Sequence, residues 1–167
     1  WLHVKHLLVN GEKMSKSKGN DFTIDQLIEK GYTASAIRYL LISAQYRKEL
    51  NFAFDGLDTA RTAIQRLLDF ERRLIDMPGA ADAPLSRLNE LSERALRDFE
   101  SAMDDDLNTP NALAVMFNFV RECNAELDRD VPTARAAADT ARAALGQMDR
   151  ALGILEIARA ERADVGE

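Results

Sequence analysis

Residues 13–20 read Lys-Met-Ser-Lys-Ser-Lys-Gly-Asn, and we call this segment the lysine loop. Lysines are long-stemmed point charges suited to meeting phosphate oxygens. Ser and Gly make the segment flexible, so it could close over a polyphosphate and follow charge as it moves during a reaction. The same composition is also typical of a solvated hairpin tip.

The residues before the lysine loop predict a strand over 3–9 that ends at the turn signal Asn10-Gly11. A lone strand is marginal in water, so we expect its sheet partners to be absent from this chain. We therefore expect residues 1–22 to be loose, or to pair with a neighbouring chain through an unprotected edge.

Helical patterns follow the loop. Thr23 is placed to cap a helix that runs to about Lys30, with Gly31 in the C′ position, and Thr33 is placed to cap a second helix. Residues 47–54 are expected to connect this second helix to the rest of the chain.

From Asp55 the chain is predicted to be entirely helical. Long helices are expected over 55–76, over 86–104, from an N-cap at Thr109, and over 134–158, with loops at 77–84 and 131–133. The first carries an apolar stripe of Leu57, Ala60, Ile64, Leu67, Leu68 and Leu74. The third carries Ala112, Met116, Phe119, Val120, Cys123 and Leu127. Short loops between such helices favour an antiparallel bundle, so the fold is predicted to be mainly α.

Composition excludes several classes of protein. The 167 residues are 46% hydrophobic and 30% charged, which is typical of a globular chain, and no run is long enough to span a membrane. One cysteine cannot form an internal disulfide, which fits a reducing, cytoplasmic setting. The net charge of −6 means that any contact with nucleic acid must use local basic patches.

The lysine loop resembles the second signature of class I aminoacyl-tRNA synthetases, and its surroundings resemble the cysteinyl-tRNA synthetase family. The resemblance runs in order from residue 1 to about 128. It is carried by Trp1-Leu2-His3-Val4, Gly11-Glu12, Ala36-Ile37-Arg38-Tyr39-Leu40-Leu41, Tyr46-Arg47, Leu50-Asn51-Phe52 and Met103-Asp104-Asp105-Asp106-Leu107-Asn108-Thr109-Pro110. Lys18 departs from the family pattern, which more often has an apolar residue there.

This resemblance implies ATP-dependent activation of cysteine and its transfer to tRNA(Cys). Lys13 and Lys16 would be catalytic, and Met14, Ser15 and Ser17 would complete the ATP-binding set, with Mg accompanying ATP. The domains implied are the end of a Rossmann-type catalytic domain at 1–22, a stem-contact segment at 23–54, a DALR-type helical tRNA-binding bundle at 55–160 and a tail at 161–167.

Metal sites are not predicted in this chain. His3 and His6 would point to opposite faces of a strand, and no nearby side chain completes a tetrahedral set. The family resemblance implies a zinc that grips the substrate thiol, with ligands that lie outside this chain. Asp104-Asp105-Asp106 could suggest magnesium, but acidic groups beside a helix N-terminus favour a structural role. Cys123 is read as a buried apolar side chain.

Basic residues between Arg38 and Arg73 suggest a strip for the tRNA backbone, and we single out Arg47, Lys48, Arg66 and Arg73. The alternative is that these side chains decorate the solvated face of an amphipathic helix.

The chain opens with Trp1 in a strand-like run, and we interpret it as a piece of a longer protein that is inactive alone. The family's small C-terminal anticodon module is expected to be missing. Two alternatives remain open: a related cysteine ligase that acts on an amino sugar in mycothiol synthesis, and a non-catalytic tRNA-binding module.

Overall fold

The fold is given by a computed structural model that describes residues 3–5, 7–80, 87–129 and 132–165. These residues form a small three-stranded sheet and seven α-helices. By their internal contacts they divide into two compact units: the first contains residues 1–65 and 153–167, and the second contains residues 66–152. None of the helices in the described ranges is long and apolar enough to cross a membrane.

The sheet in the first unit has the strand order β2-β1-β3. β1 (Leu7–Val9) and β2 (Glu12–Lys13) form an antiparallel hairpin, and β3 (Leu50–Phe52) lies parallel to β1 on its other side. The expectation that this strand lacks partners within the chain was wrong, because β1 is paired on both sides. The predicted strand is also shorter than expected: residues 3–5 are irregular, and His6 lies outside the described residues.

Two short helices connect the hairpin to β3, and both begin as predicted. α1 (Ile24–Glu29) is capped by Thr23 in a full capping box with Gln26, and Gly31 follows with φ of 87°. α2 (Ala34–Ile42) is capped by the Thr33 side chain, which accepts from the Ala36 N–H at 3.3 Å.

The longer helices are α3 (Phe54–Asp76), α4 (Arg87–Asp104), α5 (Thr109–Leu127), α6 (Arg135–Leu152) and α7 (Leu155–Val165). The predicted stripe of α3 is buried along its whole length, and so are the α5 positions from Ala112 to Cys123 on the predicted face. In the second unit α4 packs against both α5 and α6, and Phe70 meets Phe119 edge-on at 5.9 Å between ring centroids. The mainly α, bundle-forming fold is therefore confirmed.

Two details of the helix predictions were wrong. The N-cap of α5 is Asn108, whose side chain accepts from the Asn111 N–H at 3.3 Å, so Thr109 is already helical. The last predicted helix is two helices, because Gly153 adopts φ of 65° and ends α6, after which α7 begins at Leu155. The predicted loops at 77–84 and 131–133 fall partly outside the described residues, as does residue 86.

Candidate functional site

A tight hairpin presents the lysine loop. Asn10 and Gly11 have φ of 51° and 81°, as a two-residue turn with both central residues in the left-handed region requires. Leu8 is paired with Lys13 and Val9 with Glu12, so the strand pairing continues to the first lysine. The Gly11 N–H donates to Asn51 Oδ1 at 2.8 Å, which ties the turn to β3.

Beyond Lys13 the chain folds into one turn of 3₁₀ helix, Lys16–Lys18, which ends at Gly19 with φ of 65°. The Lys18 N–H donates to the Ser15 carbonyl and the Gly19 N–H to the Lys16 carbonyl, each at 3.1 Å. The side chains of Ser15 and Ser17 lie 3.2 Å apart, Oγ to Oγ. The lysine loop is therefore an ordered turn with internal hydrogen bonds.

The three ammonium groups of the loop are not equivalent. Lys18 Nζ forms an ion pair with Glu12 Oε2 at 3.0 Å. Lys13 and Lys16 are exposed, and neither side chain has a hydrogen bond or ion pair with any residue that the structure describes. Two cations thus stay available for an anionic ligand, while the charge of the third is already compensated.

Apolar contacts hold the two ends of the loop. Met14 is half-buried and lines an apolar cavity of about 140 Å³ together with Phe22, Leu27, Ile37 and Phe52. Phe22, two residues after the loop, stacks with Phe52 at 6.4 Å and meets Phe54 edge-on at 5.4 Å between ring centroids. The aromatic support at Phe22 was not anticipated from the sequence.

The basic residues singled out from the sequence are in different environments. Arg47 and Lys48 are exposed, and the Arg47 guanidinium lies 5.3 Å from the centroid of the Tyr46 ring, with Nε donating to the Tyr46 hydroxyl at 2.8 Å. In the second unit Arg66 lies over the Phe117 ring at 5.7 Å. Arg73 donates to Asn124 Oδ1 at 2.8 Å and pairs with Asp128 Oδ1 at 2.7 Å.

Arg66 and Arg73 line the same open cleft of about 540 Å³, between α3 and α5, to which Arg121 also contributes. Asp69 and Asp128 line it too, so the cleft carries both signs of charge. Arg73 could bind a phosphate only by giving up Asp128.

The surroundings of Cys123 and Asp105, two other candidate residues, indicate a structural role. Burial, reinforced by the Glu122 carboxylate, raises the pKa of the Cys123 thiol to about 12. Asp105 accepts from Asn108 Nδ2 at 3.1 Å, beside the start of α5. Among the described residues no group of three or more His, Cys, Asp or Glu side chains could hold a metal ion. These residues do not form a zinc site, and His6 lies outside them.

Comparison with protein families gives two matches. The model for the class I (C) tRNA synthetase catalytic domain matches residues 1–62, which include the lysine loop and the sheet. The model for the DALR domain matches residues 98–156, which include all of α5 and α6. These two matches place the chain among the class I aminoacyl-tRNA synthetases.

Curated relatives narrow the class. The cysteine–tRNA ligase of Solibacter usitatus is 48% identical over 128 residues, which cover 77% of this chain and 27% of that protein. Those of Chlamydia muridarum and Protochlamydia amoebophila are 36% and 37% identical, each over 96% of this chain and over 35% and 33% of their own lengths. The chain belongs to the cysteinyl-tRNA synthetase family, and it spans about a third or less of the length of these relatives.

Proposed function

We propose that this chain is part of a cysteine–tRNA ligase and supplies its ATP-closing loop and tRNA-binding helices. The observation that carries the proposal is the pair of exposed, uncompensated ammonium groups of Lys13 and Lys16 on an ordered hairpin loop. Membership of the family and the named activity of the relatives support it. The reaction would take place in the cytoplasm.

In the proposed reaction a carboxylate oxygen of cysteine attacks the α-phosphorus of ATP. The bond from that phosphorus to the bridging oxygen breaks, and pyrophosphate leaves with the electron pair. A hydroxyl at the tRNA 3′ end then attacks the aminoacyl carbonyl carbon, and AMP leaves. In the first step negative charge builds on the departing phosphates, where preplaced cations stabilise it.

Lys13 and Lys16 would supply those cations, and Ser15 and Ser17 would offer hydroxyl donors to the phosphates. Met14 would anchor the loop in its apolar cavity. Mg²⁺ would enter with ATP as part of the substrate. No step is assigned to zinc, because the described residues do not assemble a ligand set for it.

For the domains, we propose that residues 1–22 end the catalytic domain, that 23–54 contact the tRNA stem, and that 55–160 form the tRNA-binding bundle, with a tail at 161–167. Arg47, Lys48 and Arg66 are exposed and suited to phosphate contacts. Arg73 would contribute mainly by fixing α3 against α5 through Asp128.

A chimera tests the ATP role. The aligned segment of the Solibacter usitatus ligase is replaced by this chain's residues, and ATP–pyrophosphate exchange is measured with cysteine. Lys16→Ala should lower the exchange rate by about 10²–10³ with little change in the KM for cysteine, because the lost interaction forms in the transition state. Lys18→Ala, whose charge is already compensated by Glu12, is the matched control and should stay close to the parent rate. Equal rates for Lys16→Ala and the parent would refute the role.

Salt titration tests the tRNA role. Arg66→Glu should weaken tRNA(Cys) binding by the same chimera and flatten its dependence on salt concentration, because a lost phosphate contact lowers that slope by about one. Arg97→Glu, an exposed arginine of α4, is the control. Unchanged binding at low salt would reject this face as a tRNA contact.

A further inference from the structure

The side-chain amide of Asn20 joins the two ends of the lysine loop. Its Oδ1 accepts from the Ser15 N–H at 2.8 Å, and its Nδ2 donates to the Lys13 carbonyl oxygen at 3.3 Å. One side chain therefore binds the backbone at the first lysine and at the residue directly before Lys16. We propose that Asn20 is a positioning residue, which holds Lys13 and Lys16 at the spacing that receives a polyphosphate tail.

The amide is better suited to this task than the other contacts of the loop. In the Lys18–Glu12 ion pair the side chains are 52% and 65% exposed, respectively, and such surface pairs contribute little rigidity. The hydrogen bonds of the 3₁₀ turn reach only three residues and leave its attachment to β2 unfixed. Asn20 is half-buried and bonds in two fixed directions across the loop.

Positioning matters here because lysine side chains are long and lose rotamer freedom on binding. Fixing the backbone from which both side chains extend removes part of the ordering cost before the anion arrives, which raises affinity without a new contact. Asn20 would thus act through Lys13 and Lys16 rather than touch the phosphates. The inference rests on the proposed function, because that function supplies the anion.

The chain contains a matched control. Asn51 Oδ1 accepts from the Gly11 N–H at 2.8 Å, so a second asparagine bonds to the backbone of the same hairpin at its turn, away from the lysines. Asn51→Ala removes a hydrogen bond of the same kind but leaves the two hydrogen bonds of Asn20 to the lysine loop in place.

The test is a titration of the chain with inorganic pyrophosphate. The NMR signals of the loop's backbone amides are monitored at each pyrophosphate concentration to measure binding. Asn20→Ala should bind about tenfold more weakly than the parent chain, which corresponds to about 1.4 kcal/mol, and Asn51→Ala should bind like the parent. Matching urea midpoints show that the variants are folded. Equal affinity for Asn20→Ala and the parent would overturn the Asn20 inference alone. Absence of pyrophosphate binding by the parent would overturn the loop's phosphate role and the inference with it.

Hydrogen exchange at the Ser15 amide gives a readout that does not depend on phosphate. Asn20→Asp keeps the acceptor for Ser15 and should keep its slow exchange, whereas Asn20→Ala should lose it. The aspartate variant also shows whether the chain still folds without the second hydrogen bond to Lys13. Rapid hydrogen exchange at the Ser15 amide in the parent chain would contradict the proposed role of Asn20.

Discussion

Glu161 of α7 closes over the start of α2 by accepting two hydrogen bonds from Ser35. The Ser35 N–H donates to Oε1 at 3.0 Å and its hydroxyl donates to Oε2 at 2.6 Å. A carboxylate at a helix N-terminus satisfies a free N–H group and is favoured by the helix dipole. Ser35 is buried, so its polar groups have little access to water as a substitute partner.

Removing this carboxylate should destabilise the chain. Glu161→Ala is expected to lower the free energy of unfolding by about 1–3 kcal/mol, because it leaves a buried donor unsatisfied. Urea unfolding followed by circular dichroism measures the change. Asp164→Ala, an exposed acidic position on the same helix, is the control and should change stability by less than about 0.5 kcal/mol. A loss for Asp164→Ala equal to that for Glu161→Ala would assign the effect to general charge.

Two glycines in one stretch of the chain should respond to alanine with opposite signs. Gly153 has φ of 65°, and a Cβ there would lie 3.1 Å from Arg38 Nε, so Gly153→Ala should destabilise by about 1–2 kcal/mol. Gly146 lies within α6 with open space around the Cβ position. Gly146→Ala should therefore stabilise by about 0.5–1 kcal/mol. Thermal unfolding of the two variants checks the pair, and the same sign for both would contradict this account of the break after α6.

The thiol of Cys123 should be inert in the folded chain. Its pKa is raised to about 12 by burial, so almost no thiolate exists at neutral or mildly alkaline pH. A chromogenic disulfide reagent at about pH 8 should react at a rate set by unfolding, and quickly in denaturing urea. Fast labelling without denaturant would show that the α5 stripe is open to solvent.

The pair formed by Arg135 and Asp139 on α6 should make stability depend on pH. Arg135 NH2 donates to Asp139 Oδ1 at 2.8 Å, and this hydrogen bond lowers the pKa of the Asp139 carboxyl. A lowered folded-state pKa stabilises the fold above the unfolded value, about 3.9, and the contribution disappears as the pH falls through the folded value. Asp139→Asn should therefore be less stable than the parent at neutral pH, and the difference should narrow in acid.

Urea midpoints at neutral pH and at about pH 3 measure that difference. Asp98→Asn, at an exposed position of α4, is the control and should show no comparable convergence. A gap between Asp139→Asn and the parent that stays constant with pH would mean that the ion pair does not contribute. Arg135 NH1 also donates to the carbonyls of Ile75 and Met77, at 2.8 and 3.2 Å, and those bonds should persist in acid.

Local patterns carried much of the sequence-based prediction. The caps at Thr23 and Thr33, the buried stripe of α3 and that of α5 as far as Cys123 depend on residues within a few positions of one another, and they were found as predicted. Leu127, at the end of the predicted α5 stripe, is only half-buried. β3 was missed, because Leu50–Phe52 is short and its pairing with β1 is set by the two helices between them. The break at Gly153 was missed since an alanine-rich pattern continues across it.

In the candidate site, too, some features could be predicted from the sequence and others depend on the folded structure. The type and spacing of Lys13 and Lys16 were informative in the sequence alone, but their difference from Lys18 depends on Glu12 reaching back across the loop. The two hydrogen bonds from the Asn20 side chain to the loop backbone likewise form only when the turn is folded. Arg73 illustrates the reverse case: its place among the basic residues suggested an available cation, but it is paired with Asp128, the residue directly after α5.

Because α7 belongs to the same unit as the hairpin, shortening this protein from its carboxyl end would destabilise elements near the start of the chain. Deleting residues 153–165 would strip the acceptor from Ser35 and expose the side of α2 that α7 covers. Shortened versions designed around the DALR match, which stops at residue 156, would cut through α7 and lose Glu161. In such versions the first unit, which contains the sheet, should be less stable even when every helix of the second unit is intact.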